Sequence, residues 1–138
     1  MCSSVLGRAP RGRSEGAGLA VHLAEVVEAM DPSQLLKGVL DLAVLAVLRD
    51  ADGYGYDVLR RLRAAGLEDV ADASVYGTLR RLFAAGALTS YVQPSEEGPH
   101  RKYYGLNKTG LDLLAQSTKT WNHFADTMSV LLLEEAAA

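Results

Sequence analysis

Residues Leu35–Arg49 are apolar on nearly every side, and this stretch limits the fold more than any other. Leu36, Val39, Leu40, Leu42, Ala43, Val44, Leu45, Val47 and Leu48 leave no polar face. A helix of this kind belongs at the centre of a domain, enclosed by other elements. The run is too short to span a bilayer, and Lys37 and Asp41 interrupt it. Asp31-Pro32 stands before it, with proline suited to the first helical turn.

The chain that follows offers amphipathic partners for such a helix. Asp50–Gly53 is a turn. A second helix is predicted from about Tyr54 to Ala65, with Tyr56, Val58, Leu59 and Leu62 inward. Arg60, Arg61 and Arg63 are predicted to face outward, and Gly66 to end the helix. An extended piece, Glu68–Ala71, leads to a third helix over Asp72–Gly86. Asp72 is its expected N-cap and Gly86 its stop. At 100° per residue, Val75, Leu79 and Leu82 share one side, with Phe83 at the margin. Ser74, Gly77, Arg80, Arg81 and Ala84 share the other. That outer face holds two arginines, a hydroxyl and small residues, but no acid of its own. A face that avoids carboxylates and stays thin suits a phosphate backbone.

Beyond Gly86 the hydrophobic period changes. Ala87–Val92 and Arg101–Leu106 read as two strands, and Gln93–His100 between them as a long turn. Asn107 then caps a last helix. Along that helix Leu111, Leu114, Thr118, Trp121, Ala125, Met128 and Leu132 recur at alternating spacings of three and four. This is a heptad seam. The helix is too long for so small a domain to cover. The leftover stripe predicts a second copy across a two-fold axis, with these seven residues at the dimer interface.

Composition bounds the remaining choices. The 138 residues suit one domain with an appended element, and 49% of them are apolar. Cys2 is the single cysteine, so no internal disulfide forms, and a reducing cytoplasm is the simplest setting. His22, His100 and His123 have no metal-ligand spacing. No signal-peptide pattern opens the chain, and no membrane partner is expected. The net charge is −3. Between Ala73 and Lys108, however, Arg80, Arg81, Arg101, Lys102 and Lys108 stand against only Glu96 and Glu97. Positive charge thus gathers around the third helix. Met1–Ala17 lacks a hydrophobic period and reads as disordered, or as a basic arm through Arg8, Arg11 and Arg13. Gly18–Met30 is predicted to be helical, and Met30 is an alternative start.

Three helices and a hairpin make a mainly α winged helix-turn-helix. The expected organisation is an extension over 1–30, a DNA-binding domain over 31–107 and a C-terminal dimerisation helix over 108–138. In such a fold the third helix enters the major groove of double-stranded DNA and the hairpin follows the backbone. Arg80 and Arg81 suit guanine edges or phosphates. Ser74 and Tyr76 suit phosphate oxygens, and Gly77 allows close approach. His100, Arg101 and Lys102 place cations on the wing. A dimer would read a two-fold site.

The residues that carry these roles resemble a known family. Leu36-Lys37-Gly38 through Leu48, Gly53-Tyr54-Gly55-Tyr56, Ser74–Leu82 with Gly86, and Gly98–Gly110 stand in the order of the PadR family of bacterial transcriptional regulators. The resemblance covers about Leu35 to Leu132, some seven-tenths of the chain. It implies a cytoplasmic homodimeric winged-helix repressor, of the subgroup with a short C-terminal helix. Many such proteins respond to small planar or phenolic molecules. Tyr54, Tyr56, Tyr103 and Tyr104 fit core or hinge packing, with a phosphate contact as a further role for Tyr54. The resemblance also implies an effector site at Trp121, with Phe124, Ala125 and Met128 around it. Two indoles facing across a dimer could hold a flat ring. This chain departs from the family pattern at Gly77, where proline is usual, and at Gly105, where a polar or basic residue is usual. Glu96 and Glu97 oppose phosphate contact by the wing.

Blander readings stand beside these. Arg80 and Arg81 also fit a solvated helix face, and Trp121 fits plain interface filler. A winged-helix module that binds proteins and not DNA is the alternative function. An enzyme is the weakest reading, since no Ser–His–Asp set, Cys–His pair, carboxylate dyad or phosphate loop is evident, and no cofactor is expected.

Overall fold

The computed structural model describes residues 29–95 and 98–134. The expectations for 1–28 and for Glu96 and Glu97 lie outside them. The first helix, α1, spans Pro32–Asp50, with proline as its first residue. It buries Leu40, Val44, Leu45 and Leu48, and Leu36, Leu42, Ala43, Ala46 and Val47 pack against the core from partly covered positions. It touches every other helix and the central strand, as an all-round apolar helix must.

A two-residue strand, β1 (Gly53–Tyr54), precedes α2 (Gly55–Ala64). Tyr54 therefore belongs to the sheet and not to the second helix. Val58, Leu59 and Leu62 are buried as expected, but Tyr56 is exposed. Arg61 does not point away. Its Nη1 donates to the Val47 carbonyl at 3.1 Å and its Nη2 to that of Ala51 at 3.0 Å. Asp57 also faces it at 3.2 Å. This arginine thereby satisfies carbonyls at the end of α1 that have no helical partner.

The third helix, α3, spans Asp72–Ala84. Its N-cap is Ala71, with no side-chain cap, so Asp72 is a first-turn residue favoured by the helix dipole. Arg63 pairs with Asp72 at 3.3 Å. Val75, Thr78, Leu79 and Leu82 form the buried stripe. α2 and α3 end alike. Gly66 and Gly86 take positive φ values of 117° and 85°. The next residue reaches back in each case, Leu67 N–H to the Leu62 carbonyl and Ala87 N–H to the Leu82 carbonyl. This six-to-one closure satisfies two otherwise open ends.

The sheet has three antiparallel strands in the order β1-β3-β2, where a two-stranded hairpin was expected. β2 is Leu88–Ser95 and β3 is Gly98–Leu106. Pairing runs from Leu88 with Leu106 to Ser95 with Gly98. The long turn predicted over Gln93–His100 is mostly strand. Pro94 falls where the register shifts, a place that tolerates a residue without an N–H. Gly53 and Tyr54 pair with Tyr104 and Tyr103 on the other edge of β3.

The last helix, α4, spans Lys108–Leu132, about 37 Å at ~1.5 Å per residue. Asn107 caps it as predicted, its Oδ1 accepting from Gly110 N–H at 2.9 Å. Asn107 Nδ2 donates to the Gly86 carbonyl at 2.9 Å, so one side chain holds the exit of α3 and the entrance of α4. The expected seam on α4 needs one correction. Leu114 is 6% exposed and packs in the core of its own chain. Leu111, Thr118, Trp121 and Leu132 are exposed, and Ala125 and Met128 are half-buried.

Candidate nucleic-acid interface

The buried stripe of α3 fixes which side chains it shows. Ser74, Arg80, Arg81 and Ala84 are exposed and Gly77 is half-buried. A Cβ at Gly77 would meet nothing within 4 Å. Glycine inside a helix costs about 1 kcal/mol relative to alanine. Among the described residues no neighbour requires that cost, and the thin spot faces away from the core. Arg80 makes no ion pair or hydrogen bond among the described residues, and its donors are open.

Arg81 differs. Its Nη1 and Nη2 donate to Asp41 Oδ2 and Oδ1 at 2.8 and 3.0 Å. The hydrogen bond, then the charge, of Asp41 raises the Arg81 pKa above its ordinary value. The expected carboxylate-free surface is therefore corrected. The sequence of α3 has no acid on this face, but α1 supplies one. Arg81 still reaches solvent, its side chain 61% exposed.

A second set of predicted residues meets at the start of α2. Tyr54, Gly55, Tyr56, Tyr76, Arg101, Lys102 and Tyr104 line a hollow of about 250 Å³. The Tyr54 side chain does not cap α2, and the start of a helix favours an anion. A Cβ at Gly55 would strike the Tyr76 ring, and glycine lets that ring lie across the helix start. Arg101 lies over the Tyr54 ring at 4.5 Å. Lys102 Nζ lies 5.3 Å from the Phe83 ring centre and 5.5 Å from that of Tyr104. Aromatic faces position these two cations without neutralising them. Among the described residues neither pairs with a carboxylate. His100 is exposed on β3, farther along the wing and not in this hollow.

Tyrosines stiffen the sheet beneath the cations. Tyr91 stacks on Tyr103 at 5.6 Å and 14°, and Tyr54 meets Tyr103 edge-on at 5.4 Å. Tyr91 Oη donates to Asp52 at 2.7 Å, and that bond is the main cause that pushes the phenol pKa upward.

A third concavity, about 610 Å³, lies between α1 and α4. Leu35, Val39, Leu42, Trp121 and Phe124 give it an apolar wall, and Asp41 is the one ionisable side chain lining it. Trp121 and Phe124 have ring centres 6.4 Å apart. Ala125 and Met128, expected beside Trp121, do not line it.

Sequence reasoning missed Asp41, Gly55 and Tyr91. Asp41 left a signal, since it is the one acid within the run Leu35–Arg49. Gly55 and Tyr91 act through contacts that local spacing does not encode.

A three-helix core, an outward arginine face on the third helix and a strand pair carrying cations define a winged helix-turn-helix of the DNA-binding type. Residues 44–116 match the Transcriptional regulator PadR-like family. The chain belongs to that family. It is 31% identical to a PadR-like transcriptional regulator from Bacillus cereus, with a TM-score of 0.66, over 74% of this chain and 99% of that one. A PadR family regulator from Eggerthella lenta is 27% identical, with a TM-score of 0.66, over 87% of this chain and 99% of that one. Bacillus subtilis PadR in complex with operator DNA shares the fold at 23% identity and a TM-score of 0.54, over 58% and 46%. Among the described residues no helix is long and apolar enough to cross a membrane.

Proposed function

We propose that this chain is a cytoplasmic, homodimeric repressor that binds a two-fold operator in double-stranded DNA. α3 enters the major groove, with Arg80 toward base edges and Gly77 and Ser74 against the backbone. Tyr54, Tyr76, Arg101 and Lys102 clamp a phosphate at the open start of α2, with His100 farther out on the wing. The observation that carries this reading is the α2 hollow, where Arg101 and Lys102, paired with no carboxylate among the described residues, sit beside the start of a helix whose N-cap side chain makes no capping bond. Bacillus subtilis PadR, with the same fold, was solved on operator DNA.

The stripe of Leu111, Trp121 and Leu132 joins two copies, and the groove beside Trp121 and Phe124 receives a small aromatic effector that lowers DNA affinity. The corresponding parts are the extension over 1–30, the DNA-binding domain over 31–107 and the C-terminal part over 108–138, where α4, expected to run to 138, ends at Leu132.

A mobility-shift assay on the duplex upstream of the protein's own gene tests the reading. Wild type retards that duplex, and Arg80→Ala weakens binding by ~1–3 kcal/mol. Wild type that leaves every upstream duplex unshifted sinks it. That result would favour a winged-helix module for protein partners, the reading to which Asp41 beside Arg81 lends support.

A further inference from the structure

We propose that Asp41 determines how strictly this protein discriminates its operator from other DNA, by holding Arg81 until a base edge replaces it. This rests on the DNA-binding reading above.

Asp41 takes both terminal nitrogens of Arg81, at 2.8 and 3.0 Å. Those are the prongs with which an arginine reads the O6 and N7 of guanine. While Asp41 holds that end of the guanidinium, Arg81 cannot fork onto a guanine with the same two N–H groups. The two side chains are 61% and 48% exposed. An ion pair so open to water is weak, and it exchanges readily.

The neighbourhood supports that exchange. Lys37, Asp41, Ser74, Gly77 and Arg81 line one hollow of about 320 Å³ between α1 and α3. Lys37 is one helical turn before Asp41 on the same face of α1. It has no ion pair among the described residues. When Arg81 leaves, Lys37 is placed to receive the carboxylate, so no bare negative charge faces the duplex.

Two kinds of DNA then meet different surfaces. On a duplex without a matching guanine, Arg81 stays paired. The pair is neutral overall, and Asp41 offsets the attraction of Arg81 for phosphate. On the operator, guanine replaces the carboxylate, Asp41 turns to Lys37, and Arg81 contributes fully. Asp41 thus weakens unspecific binding more than operator binding.

The test compares wild type, Asp41→Asn, Arg81→Ala and the double variant. The probes are the upstream duplex that wild type retards and a scrambled duplex of equal length and composition. Asparagine keeps the shape of the side chain, and melting curves verify that each variant is folded. Asp41→Asn is expected to bind the scrambled duplex about tenfold more tightly and the upstream duplex less than threefold more tightly. Its log affinity on the scrambled duplex should fall more steeply with log salt, by about 0.9 per subunit, the signature of one added phosphate contact. The gain should vanish when Arg81 is also alanine. Equal gains on both duplexes, no gain on either, or a gain that survives Arg81→Ala would overturn the proposal while leaving DNA binding intact. Wild type that binds neither duplex would instead bring down the DNA-binding reading, and this inference with it.

Discussion

Gly55 has no side chain, and the Tyr76 ring occupies the space. Gly55→Ala would put a methyl against that ring. Tyr76 is 37% exposed and can swing aside, so the stability cost should stay below about 1 kcal/mol. Its hydroxyl would leave the hollow at the start of α2, however. The expected result is a nearly unchanged melting temperature together with DNA binding weakened several-fold, read by thermal unfolding and by mobility shift. Residue-level features of this kind differ in how far a sequence reveals them. Gly66, Gly86 and Asn107 were legible, because turn and cap chemistry act within a few positions. The partner of Arg81 was not, because Asp41 is 40 residues away and only the packing of α1 on α3 brings them together.

On the scale of elements, α4 divides into two parts with different duties. Gly110 and Leu114 are buried against the domain, while Val130, Leu131, Leu132 and Leu133 are each more than 60% exposed. Leu114→Ala should therefore destabilise the fold by about 2–5 kcal/mol in urea unfolding. Leu132→Asp should leave the melting of the domain nearly intact but shift sedimentation toward a monomer. Equal effects of the two variants on unfolding would show that α4 acts as one unit. The heptad spacing made both leucines look alike. Periodicity gives the stripe, but not which turn of it the chain's own core consumes. For the sheet, local composition misled in another way. Pro94, Ser95, Gly98 and Pro99 favour turns, yet register with the partner strand extends β2 and β3 through them. β1 escaped notice because two residues carry no period.

Across the whole molecule, a net charge of −3 coexists with an interface where Arg101 and Lys102 lie against aromatic rings, Arg80 has no ion pair among the described residues and only Arg81 is paired, with Asp41. Distribution decides the behaviour here, not the sum. Among the described residues Asp41 is the one ionisable side chain lining the groove between α1 and α4, and Arg81 already offsets its charge. Charge should therefore select little there: a flat aromatic cation and a flat aromatic carboxylate of equal size should quench Trp121 fluorescence at concentrations within about threefold, ~0.7 kcal/mol. A preference for the cation above tenfold would show that Asp41 faces the groove unpaired.

Asn107 gives the molecule a mechanical property of its own. Since one amide clasps the end of α3 and the beginning of α4, the two helices share a pivot. A displacement of the far end of this lever, about 37 Å long at ~1.5 Å per residue, would reach the tail of the arginine helix through the Asn107 amide and through the backbone bond from Asn107 N–H to the Ala87 carbonyl.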